Sequence, residues 1–234
     1  MIVAQRKPLD RILEMLQPYK RVLVLACGSC VTVCLSGGEK QADELASLLR
    51  IAAAAKGRQL ELDVGCITRQ CDREFTAELA QALVQNPGKY DAVLSLACGV
   101  GVGFMSEVFP ATPVLPGLDT TFYGANTAPG EWTEYCHGCG QCMLDYTAGI
   151  CPIARCSKSL VNGACGGTNH GKCEVSKDMD CGWYLIYNRL KDLGRLDDLR
   201  RIHSPLDWRK DRSGGLRRLV HQEMTALEDE KQAD

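Results

Sequence analysis

Fourteen cysteines in 234 residues restrict this chain more than any other feature, and they fall into two blocks. Cys27, Cys30, Cys34, Cys66, Cys71 and Cys98 lie among strand-like runs. Cys136, Cys139, Cys142, Cys151, Cys156, Cys165, Cys173 and Cys181 crowd a glycine-rich stretch. A reducing compartment keeps thiolates available to soft metals, whereas an exported chain would use them for disulfides. Residues 1–20 lack the apolar run of a secretory signal. Residues 21–35 are apolar but carry three cysteines and are too short to span a bilayer. The expectation is a cytoplasmic carrier of metal.

Hydrophobic residues make up 45% of the chain, enough for a genuine core. The formal net charge of -2 supplies no basic field for nucleic acid or an anionic membrane, so neither partner is expected. Residues 9–16 carry Leu9, Ile12, Leu13 and Leu16 at helical spacing. Three strand–helix units follow, with strands over residues 21–26, 59–64 and 90–97 and helices over 39–53, 73–85 and a short stretch before Phe109. This alternation predicts an α/β fold with a parallel sheet and crossover helices over residues 1–118. Residues 110–130 turn to Pro, Gly and Thr and read as linker. Residues 119–234 read as a loop-rich, Cys-dense metal-binding region closed by a helix over 183–199, with the end of the tail, residues 228–234, expected to fray.

Each predicted strand stops at or one residue before a cysteine: Cys27, Cys66 and Cys98. Ligands of open parallel sheets gather at the carboxyl ends of the strands, so thiols remote in sequence are expected to converge there. Four thiolates suffice for a [4Fe–4S] cluster and six are present. Position favours Cys27, Cys30, Cys71 and Cys98 over Cys34 and Cys66. Gly99-x-Gly101-x-Gly103 departs from the dinucleotide fingerprint, and Gly99 and Gly101 are read instead as letting backbone amides approach a cluster. In the second block, Cys-x-x-Cys-x-x-Cys at residues 136–142 followed by Cys151-Pro152 resembles a ferredoxin run, but eight residues rather than three precede the last cysteine. Ligand sharing therefore stays open, and zinc competes with iron–sulfur for one site. His137, inside the triplet, is a candidate donor to sulfur; His170 is a candidate zinc ligand or a loop residue. No acid–base pair, catalytic triad or phosphate loop stands out.

Cys136-His137-Gly138-Cys139-Gly140-Gln141-Cys142, Gly149-Ile150-Cys151-Pro152, Ala164-Cys165-Gly166-Gly167, Gly171-Lys172-Cys173-Glu174 and Cys181-Gly182-Trp183-Tyr184 together resemble the methylenetetrahydrofolate reductase C-terminal domain family. Cys27-Gly28-Ser29-Cys30 and Gly37-Gly38-Glu39 extend the resemblance toward the N-terminus. It implies an iron–sulfur subunit without catalysis of its own. Such a subunit would pass electrons to a partner holding FMN or FAD that reduces 5,10-methylenetetrahydrofolate to 5-methyltetrahydrofolate, with further electron-transfer subunits as additional partners. Two other readings compete: a zinc-stabilised subunit that docks the reductase to another redox complex, and a corrinoid- or folate-binding sheet domain.

Overall fold

The computed structural model describes residues 1–86, 88–211 and 215–220. Pro87, His221 and the tail from 228 to 234 lie outside them. The chain divides into two compact units, Met1–Glu134 and Tyr135–Asp234, a later division than the boundary after residue 118 expected from composition.

The first unit runs β1 (Ile2–Arg6), α1 (Leu9–Met15), β2 (Arg21–Cys27), α2 (Cys30–Val33), α3 (Glu39–Ala55), β3 (Glu61–Ile67), α4 (Arg73–Gln85), β4 (Ala92–Ser95), α5 (Gly99–Val108), β5 (Val114–Pro116), β6 (Leu118–Ala128) and β7 (Glu131–Cys136). Four strands form a wholly parallel sheet in the order β3-β2-β4-β5. The expected α/β fold is therefore present. Six consecutive residues of β2, from Val22 to Cys27, are buried, the mark of a strand covered on both faces. Side-chain alternation divides them. Val22, Val24 and Ala26 pack with Ile12, Leu16, Leu45 and Leu49 of α1 and α3, while Leu23 and Leu25 pack with Met105 and Phe109 on the other face.

Four strands, β1, β5, β6 and β7, were hidden in the sequence. Residues 110–130, read as linker, contain β5 and the eleven-residue β6. β6 pairs antiparallel with β1, and the three-stranded sheet runs β1-β6-β7. Only Leu118 and Gly124 of β6 are buried, so no hydrophobic alternation betrays it, and its partner lies more than a hundred residues away.

Gly37 locks α3 behind the sheet: its carbonyl accepts the Cys27 amide at 3.0 Å. A Cβ at Gly37 would lie 2.0 Å from the Leu96 carbonyl oxygen, so only glycine permits this approach. At the opposite end of the sheet, Asp91 ties β2 to the start of β4. Its carboxylate accepts from the amides of Lys20 (3.0 Å) and Arg21 (2.9 Å) and from the Arg21 guanidinium (2.8 Å), while its own amide donates to the Arg21 carbonyl (2.7 Å).

The second unit has α6 (Pro152–Arg155) and α7 (Gly182–Asp192), with loops between them. The helix expected over residues 183–199 ends earlier. Gly194 takes φ +66 and Leu196–Arg200 forms a separate 3₁₀ turn. Among the described residues no helix is long and apolar enough to cross a membrane.

The amides of Arg21 and Lys20, followed by the Arg21 side chain, hold the Asp91 carboxyl down to about 2 from its usual 3.8. A depressed folded pKa stabilises the fold above the ordinary carboxylate range, and that contribution fades as pH falls from about 4 toward 2. Asp91→Ala should cost about 1 kcal/mol at pH 7, a figure lowered for partial exposure. Denaturant titrations should show the gap between parent and variant closing near pH 2; a gap independent of pH would refute the assignment.

Candidate metal centre

The parallel register decides where the first block of thiols goes. Cys27 ends β2 opposite Ile67, and Cys66 stands opposite Ala26. Cys98 caps the N-terminus of α5, and Cys71 sits in the loop between β3 and α4. Cys27, Cys66, Cys71 and Cys98 thus gather at the carboxyl ends of β2, β3 and β4. Burial, then the nearby Glu39 and Cys27, pushes the Cys66 thiol up. Burial, then Cys98 and Cys27, does the same to Cys71. Cys34 behaves otherwise. It is buried in the core with its sulfur 3.1 Å from the Ser36 hydroxyl and directed at the carbonyls of Ala4 and Val31. Cys30, half-buried, begins α2 beside the Ser29 hydroxyl.

The three glycines after Cys98 open α5 itself rather than a loop before it. Gly99 donates its amide to the Thr120 hydroxyl at 2.8 Å, so this donor is already engaged. Gly101 is buried, where a Cβ would lie 2.6 Å from Ala97 Cβ and 3.2 Å from Gln70 Cβ. Close packing accounts for this glycine.

In the second unit the loops turn backbone amides onto sulfur. Cys136, the last residue of β7, accepts the amide of Gly138 at 3.4 Å, and Cys165 accepts that of Gly167 at the same distance. Gly138 and Gly140 take φ +72 and +79, so the triplet reverses direction between its cysteines. Cys139 lies 3.6 Å from the Gln141 carbonyl. The amide of Val175 foremost, then the Ser157 hydroxyl and the Ser176 amide, hold the Cys173 thiol below its usual value. Lys158 adds a favourable charge. Such donors stabilise thiolate over thiol, the protonation state that a metal requires.

A chain of contacts draws four of these cysteines into one neighbourhood. Cys156 follows α6 and packs with Cys181, Trp183, Ile186 and Leu190. Cys173 and Cys181 lie on facing arms of a short hairpin, where the Cys173 amide donates to the Met179 carbonyl (2.9 Å) and the Cys181 amide to that of Gly171 (2.8 Å). Ser157, next to Cys156, is 3.6 Å from the Cys173 sulfur, and the Cys165 sulfur is 3.6 Å from the carboxylate of Glu174. Cys151 caps the N-terminus of α6, ahead of Pro152. Cys142 is exposed in the loop that follows the triplet.

Asp207 and Arg217 reach the Cys136–Cys142 loop from later in the chain. Asp207 donates its amide to the Gln141 side chain, and Arg217 donates to the Gly138 carbonyl at 3.3 Å. The His137 ring stands 3.5 Å from the nearly buried Asp211 carboxylate, a partner that orients it. His170 is exposed with φ +48, as a loop residue is.

All fourteen cysteines are free thiols, so no disulfide framework competes. Among the described residues no three His, Cys, Asp or Glu side chains surround one point closely enough to hold an ion. The donor chemistry nevertheless fits a thiolate-bound centre: amides point at sulfur, glycines turn the ligand loops, and thiols collect at strand and helix ends. Sequence reasoning missed Ser157, Lys158 and Glu174, which touch sulfur or its neighbours only through the tertiary fold. It also missed Gln70, buried beside Cys71. No spacing signals any of them.

Residues 115–209 match the family described as Methylene-tetrahydrofolate reductase C terminal, a span that holds every cysteine of the second block. The match associates this part of the chain with methylenetetrahydrofolate reductases. Comparison with curated proteins and with solved structures finds no match.

Gly182, at the start of α7, would place a Cβ 2.7 Å from the Arg155 carbonyl oxygen. Gly182→Ala should push α6 from α7, separate Cys156 from Cys181 and destabilise this unit by about 2 kcal/mol. Thermal unfolding and metal retention after gel filtration should both fall; an unchanged melting profile would show that the contact yields freely.

Proposed function

We propose that this chain is a MetV-type iron–sulfur subunit of a methylenetetrahydrofolate reductase complex, working in a reducing compartment. Its partner would be a flavin-bearing catalytic subunit that reduces 5,10-methylenetetrahydrofolate to 5-methyltetrahydrofolate. The observation that carries this reading is the coincidence of the family match with eight thiols, three of which accept backbone amides. Further electron-transfer subunits would supply the electrons.

The residues divide the work. Cys136, Cys139, Cys142 and Cys151 would hold one centre, and Cys156, Cys165, Cys173 and Cys181 another. When bound, a [4Fe–4S] cluster accepts and releases single electrons. Gly138, Gly167 and Val175 would offset the negative charge of the thiolates, and burial around Trp183 and Ile186 would keep water from one side of the second group. His137, held by Asp211, would face the first group as a polar neighbour. The chain's own task is thus to fix charge, distance and solvent access.

Cys139→Ala should remove on the order of four iron atoms, the content of one cubane cluster, together with matching sulfide. Iron and acid-labile sulfide in anaerobically purified protein measure this, and electron delivery to the flavin partner should fall with them. A colourless parent chain containing zinc and no sulfide would instead favour a docking role.

A further inference from the structure

The two faces of the parallel sheet are covered unequally. α3 packs on β2 and β3 and buries Ala42, Leu45, Ala46, Leu49 and Ala53, whereas α4 buries only Thr76 and leans mainly on α5. Between α4 and the β2–β3 face lies a trough of about 610 Å³, a volume within the range of small-molecule sites, roughly 300–1,000 Å³. It follows α4, whose thirteen residues span roughly 20 Å. Leu23, Leu25 and Gly65 lie on its sheet side, and Phe75 and Leu79 on its helix side. Polar groups mark its ends, with Glu74 and Glu78 near the start of α4 and Lys89 and Tyr90 beyond its finish.

Gly65 keeps the trough open. It stands opposite Leu25 in the parallel register, on the face that α4 overlooks. Packing does not require a glycine there, because a Cβ would sit 3.6 Å from Leu23 Cδ1 and 3.6 Å from Leu25 Cδ1, which is ordinary contact, and the backbone is regular strand. Gly37 and Gly101, by contrast, are forced by close approach. Glycine weakens a strand interior, and where packing leaves it unexplained it marks the approach of a ligand or another backbone. At one end of the trough the Tyr90 hydroxyl donates to the Asp63 carboxylate at 2.6 Å, and Lys89 Nζ lies 5.0 Å from the Tyr90 ring centre, so the cation is held in place by a fixed ring. At the other end Glu74 and Glu78 are one helical turn apart. The nearby Arg69 pairs with Asp72 and lies over Phe75, and among the described residues neither glutamate is in an ion pair.

A carboxylate pairs two-pronged with adjacent N–H donors, as it does with a guanidinium. A 2-amino-4-oxopyrimidine ring offers such an edge on a flat body, and flat bodies suit a slot between a strand glycine and an aromatic wall. We propose that the trough between α4 and the β2–β3 face binds an elongated small molecule with an aminopyrimidinone head toward Glu74 and Glu78, a flat body over Leu25 and Gly65, and an anionic tail at Lys89. Pterin and guanine rings share that head, so folates and guanine nucleotides are the two sources of this chemistry. The trough lies outside the span of the family match, and the inference does not rest on the electron-transfer reading.

The test is isothermal titration calorimetry of the full chain, purified anaerobically, with four probes. Folic acid and GDP carry the head and an anionic tail; p-aminobenzoylglutamate and ADP are their counterparts without the paired donor edge. Folic acid or GDP should bind, the tighter of the two identifying the source, and its counterpart should bind at least about 10-fold more weakly. Gly65→Val fills the floor and should weaken binding by about 10-fold or more while the melting temperature holds or rises, since a β-branched residue suits a strand; that separates loss of the site from unfolding. Glu78→Gln and Lys89→Gln should each weaken binding by about 10- to 100-fold, the effect of losing a charge-assisted hydrogen bond, and these surface substitutions decide the matter if Gly65→Val does not fold. Binding of neither folic acid nor GDP would overturn the site, as would binding that none of the three substitutions alters. Equal binding of the counterpart would overturn the assignment of the head. A chain without iron or sulfide that still binds its probe would count against the electron-transfer reading alone.

Discussion

Parallel pairing of β2 with β3 on one side and β4 on the other is the constraint on which the α/β unit depends. Parallel strands leave the sheet in the same direction, so their carboxyl ends must emerge together, whatever separates them in sequence. Burial on both faces of β2 fixes the register, because a slip of one residue would exchange Val24 for Leu25 between two differently shaped cores. Asp91 secures the opposite edge, where β2 and β4 begin. The position of Cys27, Cys66 and Cys98 is thus a product of sheet mechanics before any metal chemistry enters.

The second unit is organised on a different principle. Its apolar cluster centres on Cys181, Trp183, Ile186 and Leu190, a small core for a loop-rich region. Hydrogen bonds supplement it: Trp183 donates to the Leu160 carbonyl, and Asn162 and His203 exchange bonds across the chain. Chains with so little apolar burial generally draw stability from cross-links or from metal. All eight cysteines here are free thiols, so no disulfide supplements this core.

The sheet was legible where the pattern was local. Val22 to Ala26 form a continuous apolar run, and Leu45 and Leu49 repeat at helical spacing, so β2 and α3 could be read directly. β6 could not, since its Thr-rich sequence buries little and one of its two partners, β1, lies at the far end of the unit. The convergence of strand-end cysteines was also legible, because it follows from topology. Its membership was not. Cys66 enters the group through register, Cys34 leaves it through contact with Ser36, and Gln70 earns no notice in a sequence because a glutamine beside a cysteine usually faces water. Tertiary contacts between segments decide all three.

The two sets of thiols sit in opposite electrostatic settings. Amides of Gly138 and Gly167 point at Cys136 and Cys165, and the Val175 amide foremost holds the Cys173 thiol below its usual value. At Cys66 and Cys71 burial comes first, followed by Glu39 and Cys27 at the one and by Cys98 and Cys27 at the other, and all of these disfavour charge. Backbone amides aimed at sulfur tune a redox potential, whereas a crowded thiol set without them gains mainly from charge neutralisation. Amides thus reach sulfur in the loops of the second unit, while the strand-end thiols of the α/β unit are placed by burial and sheet register.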